Sequence, residues 1–138
     1  MMQNMRLILY HKQPTSARIL FCRRQGTICH FDGLPTDAKV ITNNSGESQL
    51  VPESLTIEVE QQLQLSQGSL ELERDFQAVV KKDTETINVY LAQFTQIDAP
   101  HEQVAEMEGK LISITEARAL SDLELRLLGL AYTFLMDG

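Results

Sequence analysis

Apolar residues along this chain come first in short runs. Met5–His11 (MRLILYH) and Ala17–Arg24 (ARILFCRR) are rich in Ile, Leu and aromatic side chains, and Gln13-Pro14-Thr15-Ser16 breaks the chain between them. Runs of this length bounded by turn residues read as strands, and two of them about a short polar turn read as an antiparallel pair. Thr27–Phe31 is a candidate third strand, stopped by Gly33 and Pro35. Asp37–Thr42 holds a short apolar piece, Ala38-Lys39-Val40-Ile41. The polar stretch Thr42–Gln49 reads as a loop, because the cluster Asn43-Asn44-Ser45-Gly46 favours turns.

From Pro52 to Leu65 the period lengthens. Leu55, Val59 and Leu63, with Ile57, mark a stripe near helical spacing. Pro52 suits the first turn, Glu53 suits the positive end of the helix dipole, and Gln67-Gly68 ends the segment. Leu70–Val80 and Thr86–Phe94 then read as strands joined by a hairpin loop at Lys81-Lys82-Asp83-Thr84. In the second of these, Ile87, Val89, Leu91 and Gln93 alternate with Asn88, Tyr90, Ala92 and Phe94. That split predicts a strand covered on both sides. Asp98–Met107 is a loop or short helix, and Lys110–Ile114 is a last strand. Thr115 reads as a cap before Glu116-Ala117. A final helix runs over Ser121–Met136, opened by the capping box Ser121-x-x-Glu124. The order predicts a single α+β domain over residues 1–138, a mixed sheet sandwiched between helices.

Composition narrows the classes of function. At 138 residues and 43% hydrophobic content the chain is long enough for a real core. The net charge of −7 and pI near 4.9 argue against bulk nucleic acid and against docking on anionic lipid, yet a local basic pocket for a small phosphorylated ligand is compatible with them. Cys22 and Cys29 are too few for a disulfide-stapled secreted fold. The apolar run at Met5–Tyr10 is too short for a signal peptide, and no stretch has the length of a membrane span. The expectation is a cytoplasmic protein with reduced thiols.

The residues also resemble a known family. Ile19-Leu20-Phe21-Cys22-Arg23-Arg24 is similar to the second strand of Nudix domains, which ends in basic residues. Gly33-Leu34-Pro35 stands where that family has its Leu-Pro-Gly-Gly turn, and Gly46-Glu47-Ser48 resembles the Gly-Glu-Ser/Thr before its helix. Ile57-Glu58-Val59-Glu60-Gln61-Gln62-Leu63-Gln64-Leu65 lines up with the Nudix box core R-E-U-x-E-E-x-G-U, U being bulky and apolar. Lys110–Ala117 (KLISITEA) resembles the family's late strand and the start of its last helix. The resemblance spans about Met5–Met136 and implies the Nudix sandwich. The apolar box positions are kept, but the polar ones mostly are not. Ile57 replaces the Arg, Gln61 and Gln62 replace two Glu, Gln64 replaces the Gly, and Thr36-Asp37 replaces the Gly-Gly.

In the family three carboxylates at i, i+3 and i+4 share one helix face and hold Mg2+ or Mn2+ beside a diphosphate. A hard cation needs anionic oxygens to offset its dehydration. Here Glu58, Gln61 and Gln62 keep the spacing but lose two charges. The resemblance therefore implies a non-catalytic or strongly divergent Nudix-like domain without a metal, binding a nucleotide-type ligand or a protein partner through Arg23, Arg24, Glu58, Gln61 and Gln62. The alternative is a divalent-metal-dependent pyrophosphohydrolase acting on a nucleoside diphosphate derivative. Glu58 would then be joined by Glu47 or by Glu106 of the acidic segment Glu102–Glu108, around Mg2+ or Mn2+. The bland reading makes Glu58, Gln61 and Gln62 the solvated face of an amphipathic helix, Glu102–Glu108 a solvated acidic segment, and Arg23 and Arg24 surface residues at a strand end. Cys22, Cys29 and His30 lack zinc-site spacing, and His11 and His101 have no triad partner. Leu127–Met136 is apolar nearly all round, which fits burial on the sheet alone or a homodimer through this helix.

Overall fold

Strand β1 (Met5–Lys12) pairs in parallel with β6 (Glu85–Phe94), from Met5 opposite Asn88 to Tyr10 opposite Gln93. β2 (Ile19–Arg24) returns antiparallel to β1, and β7 (Gly109–Ile112) pairs antiparallel with β2. On the far side of β6 lie β5 (Ala78–Lys82) and then the edge strand β3 (Lys39–Asn43), both antiparallel to their neighbours. β4 (Leu70–Leu72) pairs with the end of β6. The computed structural model describes residues 5–13, 18–30, 33–35, 37–43, 54–76 and 78–137, and these form a seven-stranded mixed sheet in the order β3-β5-β6-β1-β2-β7 with β4 beside it. The fold is α+β.

Strand alternation sorts the side chains onto two faces. Ile8, Tyr10, Phe21, Val80, Val89 and Leu91 pack with Leu127, Leu128 and Ala131 of α3 (Asp122–Asp137). Leu7, Leu9, Leu20, Cys22, Tyr90 and Phe94 pack with Leu55 and Val59 of α1 (Ser54–Gln62), with Leu63 just beyond it, and with Val104 of α2 (His101–Glu106). The two-sided burial read from β6 is therefore met, with one helical layer on each face. Leu7, Ile8 and Leu9 are wholly buried, each a burial worth roughly 1.5–3 kcal/mol. No helix among the described residues is long and apolar enough to cross a membrane.

Several expectations are corrected. Of the candidate strand Thr27–Phe31, Phe31 lies outside the described residues, and residues 27–30 form isolated bridges in place of a strand, Leu7 with His30 and Arg24 with Thr27. Leu70–Val80 splits into β4 and β5. Six steps from Leu72 to Ala78 match only three from Ala92 to Val89, and the surplus turns at Glu73, whose carbonyl accepts from Phe76 N at 3.2 Å. The turn drops Phe76 into the core, edge-on to Phe134 with ring centroids 5.4 Å apart. The hairpin loop is just Asp83-Thr84, and the cap before the 3-10 helix Ile114–Ala119 is Ser113 rather than Thr115. Within the apolar stretch of the final helix, Leu127, Leu128 and Ala131 are buried, Leu130, Tyr132, Phe134 and Leu135 are half-buried against them, and Thr133 and Met136 are exposed.

The end of α1 has a specific geometry. Leu65 N donates to the Glu60 carbonyl at 2.8 Å and Gln64 N to that of Gln61 at 3.2 Å, the paired bonds of a Schellman motif. Gln64 takes the left-handed conformation this motif requires, with φ +56°. A side chain there is strained, and glycine is the residue that fits. Gln64→Gly should raise stability by about 1 kcal/mol, or roughly 3–5 °C in the melting midpoint. Calorimetry of the two chains checks this, and an unchanged or lower midpoint would contradict the strain.

Candidate functional site

Helix α1 buries Leu55 and Val59, which leaves Gln61 and Gln62 exposed and Glu58 half-buried on its flank. The i, i+3, i+4 face of the sequence reading therefore exists. The carboxylate that the helix does bury is Glu60, next door. Its Oε2 accepts from Gly68 N at 3.0 Å and Leu70 N at 2.9 Å, tying the helix to the start of β4. A buried charge is tolerated when such donors surround it.

Arg23 and Arg24 part company, because consecutive strand residues face opposite sides. Arg24 shares the α1–α2 face with Cys22, and its Nε donates to the Met107 carbonyl at 3.1 Å, capping the end of α2. Arg23 follows Phe21 onto the α3 face and stands opposite Lys110 in β7. Glu102 and Glu106 lie exposed on α2, and Glu108 is exposed with φ +62° in the turn after it. Glu47 and Gly46-Glu47-Ser48 lie outside the described residues. Among the described residues no three His, Cys, Asp or Glu side chains converge.

The main cleft described lies elsewhere. It has a volume of about 710 Å³ and runs between residues 34–35 and 38–40 on one side and the start of α3 on the other. Leu34, Pro35, Val40 and Leu123 give it apolar walls, while Lys39 and Arg126 bring positive charge to a rim that also carries Ser121 and Asp122. Two hydrogen-bond sets hold the walls. Arg6, buried on the face of Ile8, donates from Nε to the Gly33 carbonyl at 2.6 Å and fixes the start of the first wall. Glu124, buried on α3, accepts from Thr27 Oγ1 at 2.9 and 2.8 Å and from Ile28 N at 2.8 Å, fixing the second. The two sets meet at Thr27, since a Cβ on Gly33 would come within 3.3 Å of Thr27 Oγ1 and Gly33 itself has φ +66°.

Glu124 also corrects the capping-box expectation. Glu124 N donates to Ser121 Oγ at 3.3 Å, so half of the box forms. The carboxylate is diverted across the molecule to Thr27 and Ile28. Sequence reasoning thus singled out Glu124 for a local role and missed its tertiary one, and it missed Arg6, Thr27, Lys39 and Arg126 altogether. For Arg6 a signal existed: a lone cation at a core-facing position of an apolar strand.

The buried thiols and imidazoles are structural. Cys22 and Cys29 lie on opposite faces of the sheet, and His30 Nε2 donates to the Cys22 carbonyl, not to its sulfur, at 2.9 Å. Burial pushes the Cys22 thiol up to about 12 and Cys29 well above its ordinary value. His11 Nε2 donates to the Gln96 carbonyl at 2.9 Å, leaving His11 Nδ1 and Gln96 Oε1 without partners among the described residues.

Three outcomes follow from these contacts. Glu124→Leu leaves the Ile28 amide and the Thr27 hydroxyl without an acceptor and should cost about 2–3 kcal/mol in urea unfolding; a loss below half of that contradicts the clamp. Both thiols should resist a disulfide reagent in the native state and react on unfolding. Burial lowers the His30 pKa from 6.5 to about 4. Between those values the unfolded chain binds a proton that the native chain refuses, so stability rises with pH. As pH falls from 6.5 toward 4, about 3 kcal/mol should be lost, and His30→Gln should flatten that slope. No known family model matches the chain, and no curated protein sequence matches it.

Proposed function

We propose that this chain is a Nudix-related domain that binds a small nucleotide-type ligand without hydrolysing it, in the cleft that residues 34–35 and 38–40 form with the start of α3. The relationship is supported by the element order and by Gln64. The position that the resemblance aligns with the box glycine has the left-handed conformation that glycine serves. Val59, aligned with an apolar box position, is fully buried. The absence of hydrolysis is supported by chemistry: Gln61 and Gln62 offer neutral oxygens where a hard cation needs anionic ones.

The cleft carries the binding reading. Its volume of about 710 Å³ is of ligand size, with apolar walls for a ring and two cations, Lys39 and Arg126, for an anionic group. By contrast, Glu58, Gln61, Gln62, Arg23 and Arg24 line none of the clefts described.

Thermal unfolding against nucleotides, nucleotide sugars and dinucleotides, with and without Mg2+ or Mn2+, tests this. A ligand at about 100 times its dissociation constant should add roughly 2.7 kcal/mol without metal, and Arg126→Met should abolish the gain. A metal-requiring shift accompanied by turnover that Glu58→Gln removes would replace this reading with a divergent hydrolase working through Glu58 and Glu47 or Glu106. No shift from any compound would refute small-ligand binding and turn the search to protein partners.

A further inference from the structure

The edge of the sheet carries a second cleft, of about 400 Å³, lined by Asp37, Lys39, Ile41, Lys81, Lys82 and Asp83. Three of the five lysines in the chain meet here, although the chain as a whole is acidic. Lys39 and Lys81 are register partners in β3 and β5, so the two side chains leave the sheet on the same face, side by side. Like charges directly opposite one another destabilise a sheet. Among the described residues no ion pair neutralises Lys39, Lys81 or Lys82, although two aspartates line the same cleft.

The protein has a second like-charge pair for comparison. Arg23 stands opposite Lys110 in β2 and β7. That pair lies near the Glu116 carboxylate, whose pKa is lowered chiefly by the Ser113 hydrogen bonds and to a lesser extent by Lys110. Lysine on an edge strand also discourages pairing with another chain, which accounts for Lys39. It does not account for Lys81, which sits on the inner strand β5.

Backbone irregularity marks the same place. The β3–β5 register shifts between Val40 and Thr42, so Ile41 is the extra residue of a bulge and stands 55% exposed at the cleft. Bulges re-aim side chains and concentrate beside functional sites. From these observations we infer an anion-binding site at the β3–β5 edge, in which Lys39 and Lys81, side by side on one face, hold a phosphate-type dianion, Lys82 lines the cleft from the neighbouring position, and Ile41 flanks whatever apolar group bears the anion. The inference is independent of the α3 cleft, which shares only Lys39 with this site.

The test uses the full chain at low ionic strength and inorganic phosphate as probe, with chloride at matched ionic strength as control. Calorimetric titration should show saturable binding that Lys81→Met weakens about tenfold or more and Lys81→Arg retains. Lys110→Met, which removes the like-charge partner at the other end of the sheet, should leave it within about twofold of the parent. The Lys81→Met melting midpoint without phosphate should be no lower than the parent's, since a repulsion is removed. Binding that chloride reproduces, that survives Lys81→Met, or that Arg126→Met alone abolishes overturns the site. The last result would place the phosphate in the α3 cleft instead.

Discussion

The parallel pairing of β1 with β6 places two strands that are apolar on both faces at the middle of the sheet. Parallel neighbours cannot be joined by a tight turn, so the chain must leave the sheet and return between them. It does so by way of β2, β3, α1, β4 and β5, and helical layers follow on both faces because both need cover. The connection that covers one face delivers α1. The chain beyond β6 then supplies α2 to that face and α3 to the other. The cleft beside α3 lies on the face where Leu34 and Val40 pack against the α3-side core.

Two buried glutamates fasten the layers, and neither is one that the family resemblance made important. Glu60 accepts two amides at the start of β4, and Glu124 accepts an amide and a hydroxyl from the segment after β2. Each brings the positive ends of backbone dipoles to a carboxylate in a low-dielectric setting, where hydrogen bonds to charge are strong and an unpaired charge is costly. Glu58, which the resemblance aligns with a box carboxylate, stands on a flank beside two neutral amides. The acids of α1 and α3 thus hold the architecture together, and the chemistry of a divalent cation has little to rest on at α1.

What could be read from the sequence was what depends on local period. The alternation of Ile87–Phe94 foretold a strand between two layers, and the stripe Leu55–Val59–Leu63 foretold α1, because burial acts on single side chains at fixed spacing. What could not be read depended on partners distant in sequence. The break between β4 and β5 at Glu73 coincides with a Tyr10 hydroxyl that donates to its carboxylate at 2.7 Å, across 63 residues. The capping box at Ser121–Glu124 was legible only by half, since Thr27 lies 97 residues from Glu124. Arg23-Arg24 looks like one basic motif in sequence, and the pleat alone separates the two.

Electrostatics reconciles an acidic chain with anion recognition. At physiological ionic strength the field of a charge fades over roughly 8 Å, so a ligand at one cleft responds to the groups around it and hardly to the net charge of −7. A long polyanion samples the whole surface and its net charge, whereas a phosphate-sized anion samples one cleft, and the cleft at the β3 edge is lined by three lysines and two aspartates. The same argument separates this end of the molecule from α1, where Glu58 is accompanied by the neutral amides of Gln61 and Gln62, which neither repel an anion nor attract it. The anion site proposed above therefore belongs to the sheet edge, where Lys39 and Lys81 stand side by side, and not to α1.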